Sequence, residues 1–231
     1  MRILVTRPVD DARRTAARLA AMGHEAILSP VIEIKPTGAA IANEKFDLVI
    51  ATSSQALRYC GEQARILREL PLAVVGARTR RAAAKHGFRS PVHIAENAAA
   101  LADHVKTSCP ATTSILYLAG EERKPDLEAN LTQAGFAIHA VPVYRAARAG
   151  AFSEEAADII RQEKIDAALH FSRRSAAIFV ALAHDAGLTH ECARLKHLCL
   201  SADVAAGLSD LRADHVAIAE RPSAEALLAL I

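Results

Sequence analysis

Val141-Pro142-Val143-Tyr144-Arg145 repeats the pattern of an earlier stretch, Ser29-Pro30-Val31-Ile32-Glu33, with a tyrosine and an arginine in the second copy. Ahead of each copy the chain reads apolar strand, helix-like segment, glycine, strand. The first unit is Ile3-Leu4-Val5, Gly23 and Pro30-Val31; the second is Ile115-Leu116-Tyr117, Gly135 and Pro142-Val143. The landmarks share one displacement of 112 residues, from 3 to 115, from 23 to 135 and from 30 to 142. The echo continues, since Lys45 to Ser53 matches Lys164 to Ser172 and Val92 to Glu96 matches Val216 to Glu220. This period is domain-sized, far above the ~20–50 residues of solenoid repeats. The simplest reading is two similar lobes.

Composition fits that reading. A chain of 231 residues divides comfortably into two domains of about 110 residues each. With 52% hydrophobic residues, 23% charged residues and a formal net charge of +2, nothing drives nonspecific nucleic-acid binding. Trp is absent and aromatics are 4%, which argues against stacking platforms for single strands. Cys60, Cys109, Cys192 and Cys199 form no C-x-x-C pair and read as reduced, buried thiols. The chain opens directly into a strand without a signal-peptide core, and no apolar run approaches the ~18–20 residues that span a bilayer. The expectation is a cytoplasmic monomer with no nucleic-acid or membrane partner.

Arg2 to Thr6 reads as a buried strand, and a helix follows over about 11–22, with Asp10 or Asp11 as its cap and Gly23 as its left-handed stop. Pro30 demotes the stretch after Leu28 to an edge or irregular strand. Further strands are expected at 46–51, 72–75, 93–95, 115–118, 167–171, 197–200 and 216–219. Gly76 to Thr79 reads as a tight turn, and 36–42 and 145–150 read as linkers. Strands alternating with helical segments imply parallel βαβ units, hence an α/β protein with two doubly wound parallel-sheet lobes.

In open parallel sheets ligands collect beyond the carboxyl ends of the strands. Those ends carry Arg7, Thr52-Ser53-Ser54, Arg78 to Arg81, Arg123-Lys124, Ser172-Arg173-Arg174 and Ser201. Cations, hydroxyls and helix N-termini together suit an anionic ligand. Taken singly, each hydroxyl also reads as a helix N-cap and each arginine as a solvated surface group. There is no G-x-G-x-x-G, no Walker loop and no H-E-x-x-H, so nucleotide cradles and a metal centre are not expected.

Ile3-Leu4-Val5-Thr6-Arg7-Pro8, the Pro30-Val31 connector, Thr52-Ser53, Val75-Gly76 before Thr79, Leu118-Ala119-Gly120-Glu121-Glu122-Arg123, Val143-Tyr144 and Phe171-Ser172 appear in an order and spacing that resembles the uroporphyrinogen-III synthase family over essentially the whole chain. The resemblance implies two α/β lobes joined by two extended connectors. Lobe 1 would combine 1–35 with 148–231, lobe 2 would be 36–147, and the active site would lie in the cleft between them. The repeat alone would place a single cut near residue 111, so this interleaving comes from the resemblance.

The family's substrate is hydroxymethylbilane, a linear tetrapyrrole with acetate and propionate side chains. The implied enzyme is a lyase that closes it to uroporphyrinogen III with loss of water and inversion of ring D through a spiro intermediate, in haem biosynthesis, without a metal or organic cofactor. Tyr144 occupies the family's tyrosine position, beside the leaving hydroxyl. Thr52, Ser53, Thr79 and Ser172 fall where the family places hydroxyls, and Arg7, Arg123, Lys124 and Arg173 are further candidates for carboxylate neutralisation. Where the family shows a Gly-Pro-Thr-Thr-like loop this chain has Ser201-Ala202-Asp203-Val204, and Asp203 would repel an anion unless it caps a helix. The alternative from another class is a non-enzymatic two-lobed binding or sensor protein for a small polyanion.

Overall fold

The computed structural model describes residues 1–61, 64–89 and 91–231, with the backbone alone for Ala64, Pro91 and Val92, so the Val92 member of the repeat is described by its backbone only. In chain order the first elements are β1 (Arg2–Val5), α1 (Val9–Ala21), β2 (Glu25–Leu28), β3 (Ile32–Pro36), β4 (Leu48–Ala51), α2 (Ser54–Tyr59), α3 (Ala64–Leu67) and β5 (Leu72–Val75). Then come α4 (Gly76–Lys85), β6 (Pro91–Ala95), α5 (Ala98–Ser108), β7 (Ser114–Gly120), α6 (Asp126–Gln133) and β8 (Ala137–Arg148). The remainder is α7 (Glu154–Arg161), β9 (Ala167–His170), α8 (Arg173–Asp185), α9 (Thr189–Ala193), β10 (Lys196–Cys199), α10 (Ala202–Ala206), a 3-10 turn at Ser209–Leu211, β11 (His215–Ile218) and α11 (Ala224–Leu228). The chain forms two compact units, Met1–Glu33 with Ala147–Ile231, and Ile34–Ala146.

The first unit carries a parallel five-stranded sheet in the order β11-β10-β9-β1-β2. Strands β1 and β9 are buried along nearly their whole length, which is why they read as unbroken aliphatic runs rather than alternating ones. On one face Ile3, Val5, Leu169 and Leu198 pack against Leu19 of α1 and Leu227 of α11. The core also holds two histidines, His170 and His197, with Phe179 edge-on to both rings. His197 Nε2 lies 3.0 Å from the Cys192 carbonyl and must donate to it, so its Nδ1 accepts the His170 Nε2–H at 3.0 Å. That chain leaves His170 Nδ1 as a buried lone pair with no hydrogen-bond partner among the described residues. Burial, then the neighbouring His197, pushes the His170 pKa well down; burial pushes that of His197 down against the Cys192 bond. At the end of α10, Gly207 packs so tightly on α8 that a Cβ there would sit 2.5 Å from the Arg173 carbonyl oxygen.

The second unit carries a six-stranded sheet, β3-β8-β7-β4-β5-β6. All pairs from β8 to β6 are parallel. Val49, Ala51, Leu116 and Leu118 face Ala56, Leu57 and Ala83 on α2 and α4. Leu48, Ile50, Ile115 and Tyr117 face Leu101 and Val105 of α5 and Leu127 and Leu131 of α6. Successive strand residues thus alternate between two helical layers, the doubly wound arrangement.

Strand β3 is an edge strand, in keeping with Pro36 at its end. The Ala149 N–H donates to the Val31 carbonyl at 2.9 Å and the Thr37 N–H to the Val143 carbonyl at 3.2 Å, so β3 and β8 run antiparallel. The Thr37 hydroxyl also donates to the Pro142 carbonyl.

Three local expectations are corrected. Helix α1 begins at Val9 with Pro8 as an N-cap that has no side-chain bond, which leaves Asp10 and Asp11 in the first turn, where they complement the helix dipole. The supposed turn after Val75 is instead the first turn of α4, because Gly76 takes φ +78° and passes the chain straight from strand to helix. The supposed linker at 145–150 is strand up to Arg148, since a paired neighbour satisfies its backbone whatever its small side chains prefer. Helix α9 has no counterpart among the sequence expectations. Among the described residues no helix is long and apolar enough to cross a membrane.

Candidate functional site

In the second unit β5 and β6 lie to one side of β4, while β7 and β8 lie to the other. The winding therefore reverses between β4 and β7, and the crevice beyond their carboxyl ends is where such sheets bind ligands. Thr52 and Ser53 follow β4, Gly120 to Lys124 follow the apolar run of β7, and Tyr144 lies on the neighbouring β8.

Thr52 continues the Leu48, Ile50 face of β4, and Ile50 is registered against Tyr117 of β7. That register brings the Thr52 hydroxyl to 2.9 Å from the Tyr117 hydroxyl across the reversal point. Tyr117 is only 3% exposed. Burial pushes its phenol pKa up; the Thr52 hydrogen bond opposes this, Glu128 adds to it, Arg123 opposes it and Tyr144 adds to it. Four side chains, two from the elements α6 and β8 and two from loops, thus bear on one hydroxyl.

Tyr144 reaches this corner through an irregularity. Pairing runs Ala119 with Pro142 and then Gly120 with Tyr144, so Val143 is an extra residue on β8. Pro142 lacks a ladder N–H, and a bulge absorbs that loss while turning the next side chain. The Glu121 N–H then holds the Tyr144 carbonyl at 2.8 Å. The Tyr144 ring lies directly over Gly120, where an added Cβ would meet Cζ at 2.8 Å and the hydroxyl at 2.9 Å. Beside it, Arg123 places Nε 2.6 Å and Nη2 3.2 Å from the two Glu128 oxygens, and Nη1 donates to the Gly120 carbonyl at 3.2 Å. The guanidinium is a fixed cation whose position is set by the same glycine.

The other candidates in this unit are more ordinary. Ser53 caps α2, accepting from the Gln55 N–H at 3.2 Å. Thr79 is 4% exposed, on the packed side of α4, rather than in a loop. Lys124 is exposed ahead of α6.

In the first unit the winding reverses between β1 and β9, and the ends of these strands place Arg7 beside Phe171, with the guanidinium carbon 4.0 Å from the ring centroid. Arg7 also lies 3.9 Å from Asp11 and 3.4 Å from the Thr15 hydroxyl. Ser172 caps α8 by accepting from the Ser175 N–H at 3.1 Å, and its own hydroxyl donates to Ser175 Oγ at 2.8 Å. Its hydrogen is therefore committed within the helix turn. Arg173 pairs with Asp203 at 3.2 Å. The Asp203 question resolves differently from either alternative, because Ser201 is the cap of α10 and Asp203 neutralises Arg173.

Tyr117, Gly120 and Glu128 are not among the candidates drawn from the sequence. The available signal was a phenol inside the otherwise aliphatic run Ile115 to Ala119. Among the described residues no group of three or more His, Cys, Asp or Glu side chains is placed to hold a metal ion.

Residues 13–229 match the family model described as Uroporphyrinogen-III synthase HemD. Among solved structures, the uroporphyrinogen-III synthetase from Helicobacter pylori is similar with a TM-score of 0.62 at 17% identity, covering 100% of this chain and 98% of that one. A mutant uroporphyrinogen III synthase from the extremely thermophilic bacterium Thermus thermophilus gives a TM-score of 0.48 at 16% identity, covering 100% and 97%. A search of curated proteins found no match. The Helicobacter likeness is one of fold, whereas the family model extends over nearly the whole sequence. On that match the chain belongs to the uroporphyrinogen-III synthase family.

Proposed function

We propose that Tyr144, poised over Gly120 at the reversal point of the second sheet, is the group beside the departing hydroxyl when this enzyme closes hydroxymethylbilane to uroporphyrinogen III. The reaction belongs to haem biosynthesis and rests on family membership; the alternative of a non-enzymatic polyanion binder is not favoured. The observation that supports the site is the convergence of Tyr144, the fixed Arg123 and the Thr52 and Tyr117 hydroxyls on one corner.

Loss of the terminal hydroxyl as water leaves an azafulvene-like cation, and a phenol donating to the departing oxygen eases that step. The substituted carbon of ring D attacks the cation to give the spiro intermediate, which fragments and recloses in the inverted sense. Spontaneous closure gives the symmetric isomer, so the protein's main task is to hold one folded geometry and keep water from the cation. Carboxylates of the substrate supply the handles. Thr52 and Arg123 in the second unit are the best placed to take them, with Ser53 and Lys124 as further contributors, while Thr79, buried on α4, serves by positioning that helix rather than by direct contact. Arg7, Ser172 and Arg173 in the first unit are each engaged locally; the two arginines are candidates for neutralising substrate carboxylates and Ser172 is a candidate hydroxyl contact. We further propose a cytoplasmic monomer, for which light scattering would return the mass of one chain.

The purified protein is incubated with freshly generated hydroxymethylbilane, the products are oxidised, and type I and type III uroporphyrin are separated by chromatography. A dominant type III peak is expected. Type I alone, at the spontaneous rate with folded protein present, would overturn the assignment and revive the polyanion binder.

A further inference from the structure

Tyr117 sits where packing alone would be served as well by phenylalanine. Its ring belongs to the α5 and α6 face of the sheet beside Ile115 and Ala119. A hydroxyl carried into that layer loses water and needs a partner, and it has one in Thr52 Oγ1 at 2.9 Å. Geometry allows either oxygen to donate, but chemistry ranks them. A phenol, with an ordinary pKa of about 10, is a far stronger acid than an alkyl hydroxyl and is the better donor. Burial keeps Tyr117 in its protonated, donating form. With the Tyr117 hydrogen on its oxygen, Thr52 has to send its own hydrogen elsewhere.

We propose that Tyr117 is a positioning residue for the reaction: it donates to Thr52 Oγ1 and so turns the Thr52 hydroxyl into a donor aimed at a substrate carboxylate. This rests on the reading of Thr52 as a substrate contact. A carboxylate offers only acceptors, and an undirected threonine hydroxyl presents hydrogen or lone pair with similar ease. The strands supply the rigidity, because Thr52 follows β4, Tyr117 lies within β7, and the two strands pair over four consecutive registers from Leu48 with Ile115 to Ala51 with Leu118. The pair is thus set by the sheet and not by a loop, which suits a contact that must discriminate by direction.

The test is steady-state kinetics on Tyr117→Phe, Thr52→Val, Thr52→Ser and the double variants that combine Tyr117→Phe with each threonine change. Thermal midpoints are measured alongside. A contact made equally in ground and transition states raises KM and spares kcat. Tyr117→Phe is expected to raise KM about five- to tenfold with kcat within about twofold. It should act to a similar extent in the Thr52→Ser background, which keeps the hydroxyl, and change KM less than about twofold in the Thr52→Val background. An equal effect of Tyr117→Phe in the Thr52→Val background would overturn the proposal, since Tyr117 would then act independently of Thr52. Wild-type kinetics for Tyr117→Phe beside an impaired Thr52→Val would also overturn it while leaving Thr52 as a substrate contact. Wild-type kinetics for Thr52→Val itself would remove the Thr52 reading and this inference with it.

Discussion

The Tyr144 ring rests on the bare Cα of Gly120, and no side chain at position 120 can coexist with that placement, because even a methyl would come within 2.8 Å of Cζ. The clash falls on the far end of a side chain that can swing away, so Gly120→Ala should fold. It is expected to cost activity of the same order as Tyr144→Phe, about 10²-fold in kcat, the usual contribution of a positioned acid. Type III uroporphyrin formation and the thermal midpoint, measured on both variants, check this. Full activity in Gly120→Ala would show that Tyr144 does not act from this position.

Acid sensitivity should originate in the first unit. His170 and His197 are held neutral in the fold, whereas in the unfolded chain each titrates near its ordinary value of about 6.5. Below that pH the unfolded state binds more protons, so stability falls as pH falls. Each histidine contributes a slope of up to about 1.4 kcal/mol per pH unit until its folded-state pKa is reached. Denaturant titrations between pH 7.5 and 5 should show this loss, and His170→Gln with His197→Gln should flatten it.

Thiol labelling should be sparse in the native protein. Cys60, Cys192 and Cys199 are buried, and burial pushes the Cys192 thiol up to about 12 and the Cys199 thiol up to about 11. Cys109 is half-buried. At pH 8 a disulfide reagent is expected to find at most Cys109 before unfolding and all four cysteines after it. Rapid native labelling of Cys192 would contradict the packing around it.

Gly207 offers a contrasting substitution. A Cβ there meets the backbone oxygen of Arg173 at 2.5 Å, and backbone cannot swing aside as a tyrosine ring can. Gly207→Ala is expected to lower unfolding free energy by about 1–3 kcal/mol, the usual cost of overpacking, measured by urea denaturation.

Much of the architecture was open to sequence reading because it depends on short-range signals. Aliphatic runs marked the buried strands, glycines at positive φ such as Gly23 marked helix ends, and the long repeat marked two sheets. Two errors were misread helix starts, at Val9 and Gly76, and a third arose where pairing overrode local preference. Arg145 to Arg148 looks like linker but is strand because β3 supplies a partner. Tyr144 stood out in the sequence because of its place in the repeat and in the family pattern. Tyr117 did not, since its significance depends on a partner 65 residues away that only the β4 and β7 register brings within reach. Ser172 and Arg173 looked as promising as Thr52 and Arg123. The structure distinguishes the two hydroxyls, since the Ser172 hydrogen goes to Ser175 while Thr52 meets the Tyr117 hydroxyl, whereas Arg123 and Arg173 each face a carboxylate, Glu128 and Asp203.

The placement of β1 has a consequence for the order in which the protein can be assembled during synthesis. This strand leaves the ribosome long before β9, yet it lies between β2 and β9, with Ile3 registered against Ala167. Throughout the time in which residues 34–146 emerge and can complete their own sheet, one side of β1 has no partner strand to pair with. Closing that side means closing a loop of more than 160 residues, which is the kind of contact that slows folding and leaves a sticky edge open longest. The nascent chain is therefore vulnerable along the open side of β1, and a chaperone that shields it would have to stay bound until β9 arrives.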